Sequence, residues 1–199
     1  MKKELILKLF ELKLIKFGSF TLKSGLQSPI YLDIREVISY PDLMKILCDL
    51  LWDQVSSSSF DLLCGVPYTA LPIASYLSIT HHIPMVLKRK EAKAYGTKKL
   101  VEGIYSSNDL CLIIEDVIST GSSVLETLQP LQELGIRVEE IAVIIDRGQG
   151  GRERLEKAGL KVHALLTLPE ILDTLHTSKC ITQEQFESTH AFIHEASLL

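Results

Sequence analysis

The chain has little of what marks several common protein classes. Its net charge is −4 over 199 residues, so it lacks the surplus of Lys and Arg that a general nucleic-acid binder sets against phosphate backbones. Long hydrophobic runs are missing. The N-terminal MKKELILKLF begins with basic residues, but Glu4, Lys8, Glu11 and Lys13 keep interrupting the apolar positions. That argues against a signal peptide and against a membrane span, and makes the cytoplasm the expected compartment. Cysteine is sparse: Cys48, Cys64, Cys111 and Cys180 stand far apart, without CxxC or CxxxH spacing, so neither a zinc site nor a redox pair is indicated. Cys64 and Cys111 lie in apolar runs and read as small core residues. The histidines make no metal set: His81 and His82 sit at a helix end, and His190 and His194 lack a third ligand, which leaves them surface or capping roles. The single tryptophan, Trp52, reads as core. Neither the Walker pattern GxxxxGK[ST] nor the dinucleotide fingerprint GxGxxG occurs. Internal repeats and low-complexity segments are also absent, and Ser56–Ser59 reads as ordinary loop.

What is present is a globular composition, 46% hydrophobic and 23% charged, enough for a buried core in one domain. Leucines and isoleucines at helical spacing predict a helix over residues 2–17, stopped at Gly18. A turn-rich stretch at Lys23-Ser24-Gly25 precedes a short β-like run, Ile30-Tyr31-Leu32, and a helix over 41–55. From there short apolar runs alternate with helical segments. Strands are expected at 61–66, 84–89, 110–117, 138–146 and 161–168, helices at 70–79, 121–134 and 151–158, and terminal helices at 169–176 and 182–197. Continuous apolar strands alternating with helices imply an α/β fold whose parallel sheet is covered on both faces. Ligands of such sheets collect beyond the carboxyl ends of the strands.

One segment carries most of the chemistry. Cys111-Leu-Ile-Ile is followed at once by Glu115 and Asp116, then by Val117, Ile118, Ser119, Thr120, Gly121, Ser122 and Ser123. The apolar run must be buried strand, so the carboxylates emerge at its end, where the crevice lies. Small residues let backbone approach a ligand, and the free N–H groups at a helix start attract an anion. Two acids beside an anion hole suit a sugar phosphate: the phosphate takes the N–H groups and the acids accept from ribose hydroxyls. An ordinary helix cap would need only one such residue.

This segment resembles the 5-phosphoribosyl-1-diphosphate (PRPP) motif of the type I phosphoribosyltransferases. Other stretches resemble the orotate-specific branch of that family: Phe17 to Gly25 with Ser28-Pro29-Ile30-Tyr31-Leu32, Gly65 to Pro72, Arg89 to Gly96, and Asp146-Arg147 with Gly150-Gly151. The likeness covers roughly residues 15 to 170 and is nearest to the orotate-transferring half of eukaryotic bifunctional UMP synthases. It implies a central, mostly parallel sheet flanked by helices, with an N-terminal hood (1–40), a PRPP-binding core (41–170), C-terminal helices (171–199) and a flexible catalytic loop.

The resemblance also implies roles. Glu115 and Asp116 would hold the ribose diol, and Val117 to Ser123 the 5′-phosphate. Tyr68 and Thr69 would lie beside pyrophosphate; Lys23 would contact PRPP or orotate. Ser119, Arg147 and the backbone at Tyr31 and Leu32 would touch orotate, whose carboxylate suits a guanidinium fork. From residue types alone, Arg147 could equally form a surface ion pair with Asp146 or Glu153. Residues 88–99 are densely basic in an acidic chain. They could be a solvated surface run, or a lid that closes on pyrophosphate with Arg89, Lys90, Lys93 and Tyr95, of which Arg89 and Tyr95 would reach a neighbouring subunit. Mg²⁺ held mainly by PRPP and water, a homodimer with shared sites, and association with an orotidine 5′-monophosphate decarboxylase follow from the same likeness. Tyr95 and Thr69 stand where many bacterial relatives carry His and Lys, which weakens any acid–base role at position 95. Competing expectations are a transferase of the same fold for a purine or uracil, and a PRPP-sensing regulator without catalysis.

Overall fold

The first turns of the chain are helical for the expected reason: α1 (Lys2–Glu11) buries Leu5, Ile6 and Leu9 along one side. It does not continue to residue 17. Lys13 takes φ +58°, and the chain turns into β1 (Ile15–Thr21), paired antiparallel with β2 (Gln27–Leu32). Ile15, Phe17, Phe20 and Thr21 suit a pleated surface, and pairing with β2 overrides the helical spacing. Gly18 therefore lies inside a strand and stops no helix. The computed structural model describes residues 1–21, 27–90 and 100–196. A 3₁₀ helix (Ile34–Ser39) leads into α2 (Pro41–Val55), where Pro41 opens the first turn.

The rest alternates as expected: β3 (Leu62–Gly65), α3 (Ala70–His81), β4 (Met85–Lys88), β5 (Val101–Glu102), β6 (Cys111–Ile118), α4 (Ser122–Glu133), β7 (Glu140–Asp146), α5 (Gly151–Lys157), β8 (Lys161–Thr167), α6 (Leu168–Thr177) and α7 (Gln183–Ala196). The larger sheet has the order β5-β4-β3-β6-β7-β8 and is parallel except for β5, which runs antiparallel to β4 at one edge. Among the described strands of this sheet, β5 was the one not anticipated.

Strand alternation divides the core. Leu112 and Ile114 of β6 pack with α1, α2, α3, α6 and the β1–β2 hairpin. Cys111 and Ile113 face the other way, toward α4 and α5. Cys64 and Cys111 are buried as expected, and burial pushes the Cys64 thiol up to about 11. His82 takes φ +56° and closes α3, while His81 stacks on Trp52 with ring centroids 3.6 Å apart.

This topology creates one crevice. From β3 the chain crosses through α3 to β4 on one side. From β6 it crosses through α4, on the opposite face, to β7 on the other side. The loops leaving β3 and β6 therefore diverge, and a ligand can enter between them.

Candidate active site

At the end of β6 the chain builds a small anion cradle. A cavity of about 110 Å³ is lined by Glu115 and residues 117–124. Gly121, at φ +74°, is the N-cap of α4 and has no side chain to cap it, so the first-turn N–H groups, in residues that line this cavity, are left without a side-chain cap. Thr120 Oγ1 and Ser122 Oγ, of two lining residues, share a hydrogen bond at 3.0 Å. The start of α5 presses on this loop from behind. A Cβ at Gly151 would fall 2.5 Å from Ser119 O and 3.0 Å from Gly121 N, so only glycine fits there.

The acids stand beside the cradle. Glu115 is 4% exposed, and its Oε1 accepts from the Asp116 N–H at 3.0 Å. Burial first, then the hydrogen bond and charge of Asp116, hold the Glu115 carboxyl far above the ordinary carboxylate range. This direction favours the uncharged carboxyl, whereas hydroxyl donors favour the charged one. The sign for stability follows. The native state keeps a proton that the unfolded chain loses above its ordinary carboxyl pKa, so stability falls as pH rises from there toward the raised value. In Glu115→Gln this slope should flatten. The variant should melt above the parent by about 2–4 °C per kcal/mol recovered at pH 8, with no gain at pH 4. Melting curves across pH check this; parallel curves would contradict it.

Across the crevice, the loop after β3 turns tightly. A Cβ at Gly65 would lie 2.7 Å from Ala70 O, and the Pro67–Tyr68 peptide is cis. Thr69 is the N-cap of α3. Tyr68 is exposed, and Lys90 Nζ sits 4.2 Å from its ring centroid, a cation–π contact. Pro67, Tyr68, Leu71, Leu87 and residues 88–90 line a cavity of about 430 Å³. Arg89 Nε is 3.0 Å from Glu102 Oε1, and the Arg89 backbone N–H donates to Leu100 O at 2.8 Å. The basic segment therefore leaves and rejoins the sheet through the paired β4 and β5. Lys23, Lys93 and Tyr95 lie outside the described residues.

Arg147, at the end of β7, is 7% exposed. Its Nη2 reaches Ser28 Oγ at 3.4 Å. Ser28 is itself buried and donates to Ile30 O at 2.7 Å. Arg147 Nε is buried with no partner, and no carboxylate forms an ion pair with the guanidinium among the described residues. Asp146 is taken by Arg152 Nε at 2.7 Å and by the Gly148 N–H at 2.9 Å. The surface pair with Asp146 or Glu153 is thus not formed. Burial lowers the Arg147 pKa, the direction expected of a buried cation without a counter-ion. Tyr31 stacks on Phe20 at 5.4 Å and accepts from Arg35 Nη2 at 2.5 Å, while Leu32 packs on the core; their side chains belong to the hairpin, leaving backbone for any ligand.

Sequence reasoning therefore placed the cradle, the acids, Tyr68, Arg89, Lys90 and Arg147 at strand ends. It missed Ser28 as the partner of Arg147, although the serine stood within a quoted motif. Among the described residues no three His, Cys, Asp or Glu side chains converge on a metal position.

Comparison with known proteins gives a family. The phosphoribosyl transferase domain matches residues 37–163. Uridine 5′-monophosphate synthase of Bos taurus is 46% identical over 193 residues, 96% of this chain and 40% of that protein. Orotate phosphoribosyltransferase of Chlamydia caviae is 41% identical over 181 residues, 90% of this chain and 87% of that protein. The structure of Leishmania donovani UMP synthase aligns with a TM-score of 0.89 at 35% identity, over 98% of this chain and 42% of that one. The chain thus spans about two fifths of the UMP synthases it matches.

Proposed function

The chain belongs to the phosphoribosyl transferase family, in its orotate phosphoribosyltransferase branch, and on that premise we propose that it joins orotate to the ribose of PRPP. N1 of orotate attacks C1 of the ribose with inversion, the C1–O bond to pyrophosphate breaks, and orotidine 5′-monophosphate forms. The single observation that carries this reading is the pairing, around one crevice, of a phosphate-sized cradle with a buried guanidinium that lacks a counter-anion among the described residues. The first suits the sugar phosphate and the second suits the carboxylate that distinguishes orotate from uracil and purines.

No side chain serves as a nucleophile. The chain positions two anionic reactants and stabilises charge as it moves to pyrophosphate. Asp116 and Glu115 would accept from the 2′- and 3′-hydroxyls. Residues 117–123 would hold the 5′-phosphate, with Ser119 facing the base. Tyr68, Thr69, Lys23, Arg89, Lys90, Lys93 and Tyr95 would surround the pyrophosphate side, the basic segment closing as a lid that excludes water. Asp116, half-buried at the crevice, supplies a hard oxygen donor of the kind Mg²⁺ accepts while keeping substrate and water as its main ligands. Bound there, the ion would neutralise the leaving group. A homodimer with shared sites, a cytoplasmic setting and an orotidine 5′-monophosphate decarboxylase on the same or another chain complete the reading. No helix among the described residues is long and apolar enough to cross a membrane.

Turnover with PRPP and a panel of bases tests it. Orotate absorbance should fall with stoichiometric pyrophosphate release, and uracil, adenine and hypoxanthine should react at least about 100-fold less well, as expected when a buried charge is left unpaired. Equal use of uracil would overturn the assignment of Arg147.

A further inference from the structure

The cradle has no cation in its own wall. Its lining is Glu115 and residues 117–124, with Asp116 next to it. A phosphate monoester carries about −1.5 to −2 charges at neutral pH, so the Asp116 carboxylate at the edge opposes its entry. Among the described residues, one cation does reach the loop. Arg154 of α5 donates from Nη1 to Ser122 Oγ at 3.0 Å and to Thr120 O at 3.3 Å, across more than thirty residues of sequence. Ser122 lines the cavity. Arg154 is exposed, and its Nε and Nη2 take no hydrogen-bond or ion-pair partner among the described residues. Its neighbour Arg152 differs: it is engaged by Asp146, Glu156 and Val162 O. The seat of Arg154 is fixed, because Gly151 holds α5 against Ser119 and Gly121.

We propose that Arg154 binds the 5′-phosphate, closing the open side of the cradle and making the site select phosphorylated over unphosphorylated ribose. This deepens the transferase reading and rests on it for the substrate class. One edge of the guanidinium steadies the loop through Ser122 and Thr120, and the other offers N–H donors to phosphate oxygens. The alternative is that Arg154 only bolts α5 to the loop.

The two differ in what they move. Arg154→Met and Arg154→Lys are compared with the parent by calorimetric titration with ribose 5-phosphate at low and high salt, by kinetics, and by melting. The proposal expects Arg154→Met to weaken ribose 5-phosphate about tenfold and raise KM for PRPP by a similar factor, as for one charge-assisted bond. KM for orotate and the melting temperature stay unchanged, the salt dependence of phosphate binding flattens, and Arg154→Lys regains most of the affinity. Unchanged affinity in Arg154→Met overturns it. So does a loss that tracks the melting temperature and that lysine does not rescue. If the parent binds ribose 5-phosphate through Arg154 yet fails to convert orotate, the transferase reading falls and this assignment stands. If orotate is converted and Arg154→Met binds as the parent does, the reverse holds.

Discussion

Gly151→Ala should abolish tight binding of PRPP and ribose 5-phosphate, lowering affinity by at least about 100-fold, or roughly 2.7 kcal/mol. The reason is contact, not conformation. The added methyl would lie 2.5 Å from Ser119 O, 2.9 Å from Ser119 C and 3.0 Å from Gly121 N, all backbone atoms that have no flexible end to yield. Either α5 moves away or the loop 119–121 is pushed into the space a phosphate needs. The neighbouring glycine is the control. Gly150 sits at φ +80° with nothing within 4 Å of its missing Cβ, so Gly150→Ala should cost only about 1 kcal/mol of backbone strain and leave phosphate binding intact. Titration with ribose 5-phosphate and melting of both variants separate the two effects. Parental affinity in Gly151→Ala would show that the α5 contact does not shape the cradle.

Arg147→Met should divide activity from stability. The folded protein holds a guanidinium that is 7% exposed and, among the described residues, reaches Ser28 Oγ at 3.4 Å and leaves Nε without a partner. Burying a charge without a counter-ion destabilises the fold, so an apolar side chain of similar length should melt at the same temperature or a few degrees higher. Orotate use should collapse: loss of one partner from a buried, hydrogen-bonded charge pair costs about 2–5 kcal/mol, or roughly 30- to 5,000-fold in kcat/KM. Ribose 5-phosphate binding should not change, since the cradle lies at a different strand end. Lysine should rescue poorly, because a point charge does not reproduce the planar fork. Steady-state kinetics with both substrates and a melting curve decide the matter. A less stable variant with normal orotate kinetics would make Arg147 a structural residue and remove the basis for base selection.

The parts of this fold that were legible from sequence are those written in local chemistry. The runs around Cys64, Ile113, Val143 and Leu165 are too apolar to lie anywhere but in buried strands, and the abrupt change from Ile114 to Glu115 marks where one of them meets solvent. The parts that were not legible depend on distant partners. Ile15 and Phe17 continue a helical spacing, yet pairing of β1 with Ile30 and Leu32 of β2 makes them strand. β5 is two residues long and exists because Leu87 and Lys88 offer an edge. Ser28 carries no periodic signal; its role appears only when the ends of β2 and β7 meet. The Gly150-Gly151 pair was visible, but which glycine is sterically required depends on Ser119 O. Arg154 looked like any charge on a short helix until its path to Ser122 was known.

Soaking crystals of the full chain with PRPP would probe the pocket itself. The account predicts the 5′-phosphate seated among the N–H groups of residues 119–123, the ribose diol on Asp116 and Glu115, and the pyrophosphate turned toward Tyr68. Phosphate density at some other surface, or a diol turned away from both acids, would contradict it.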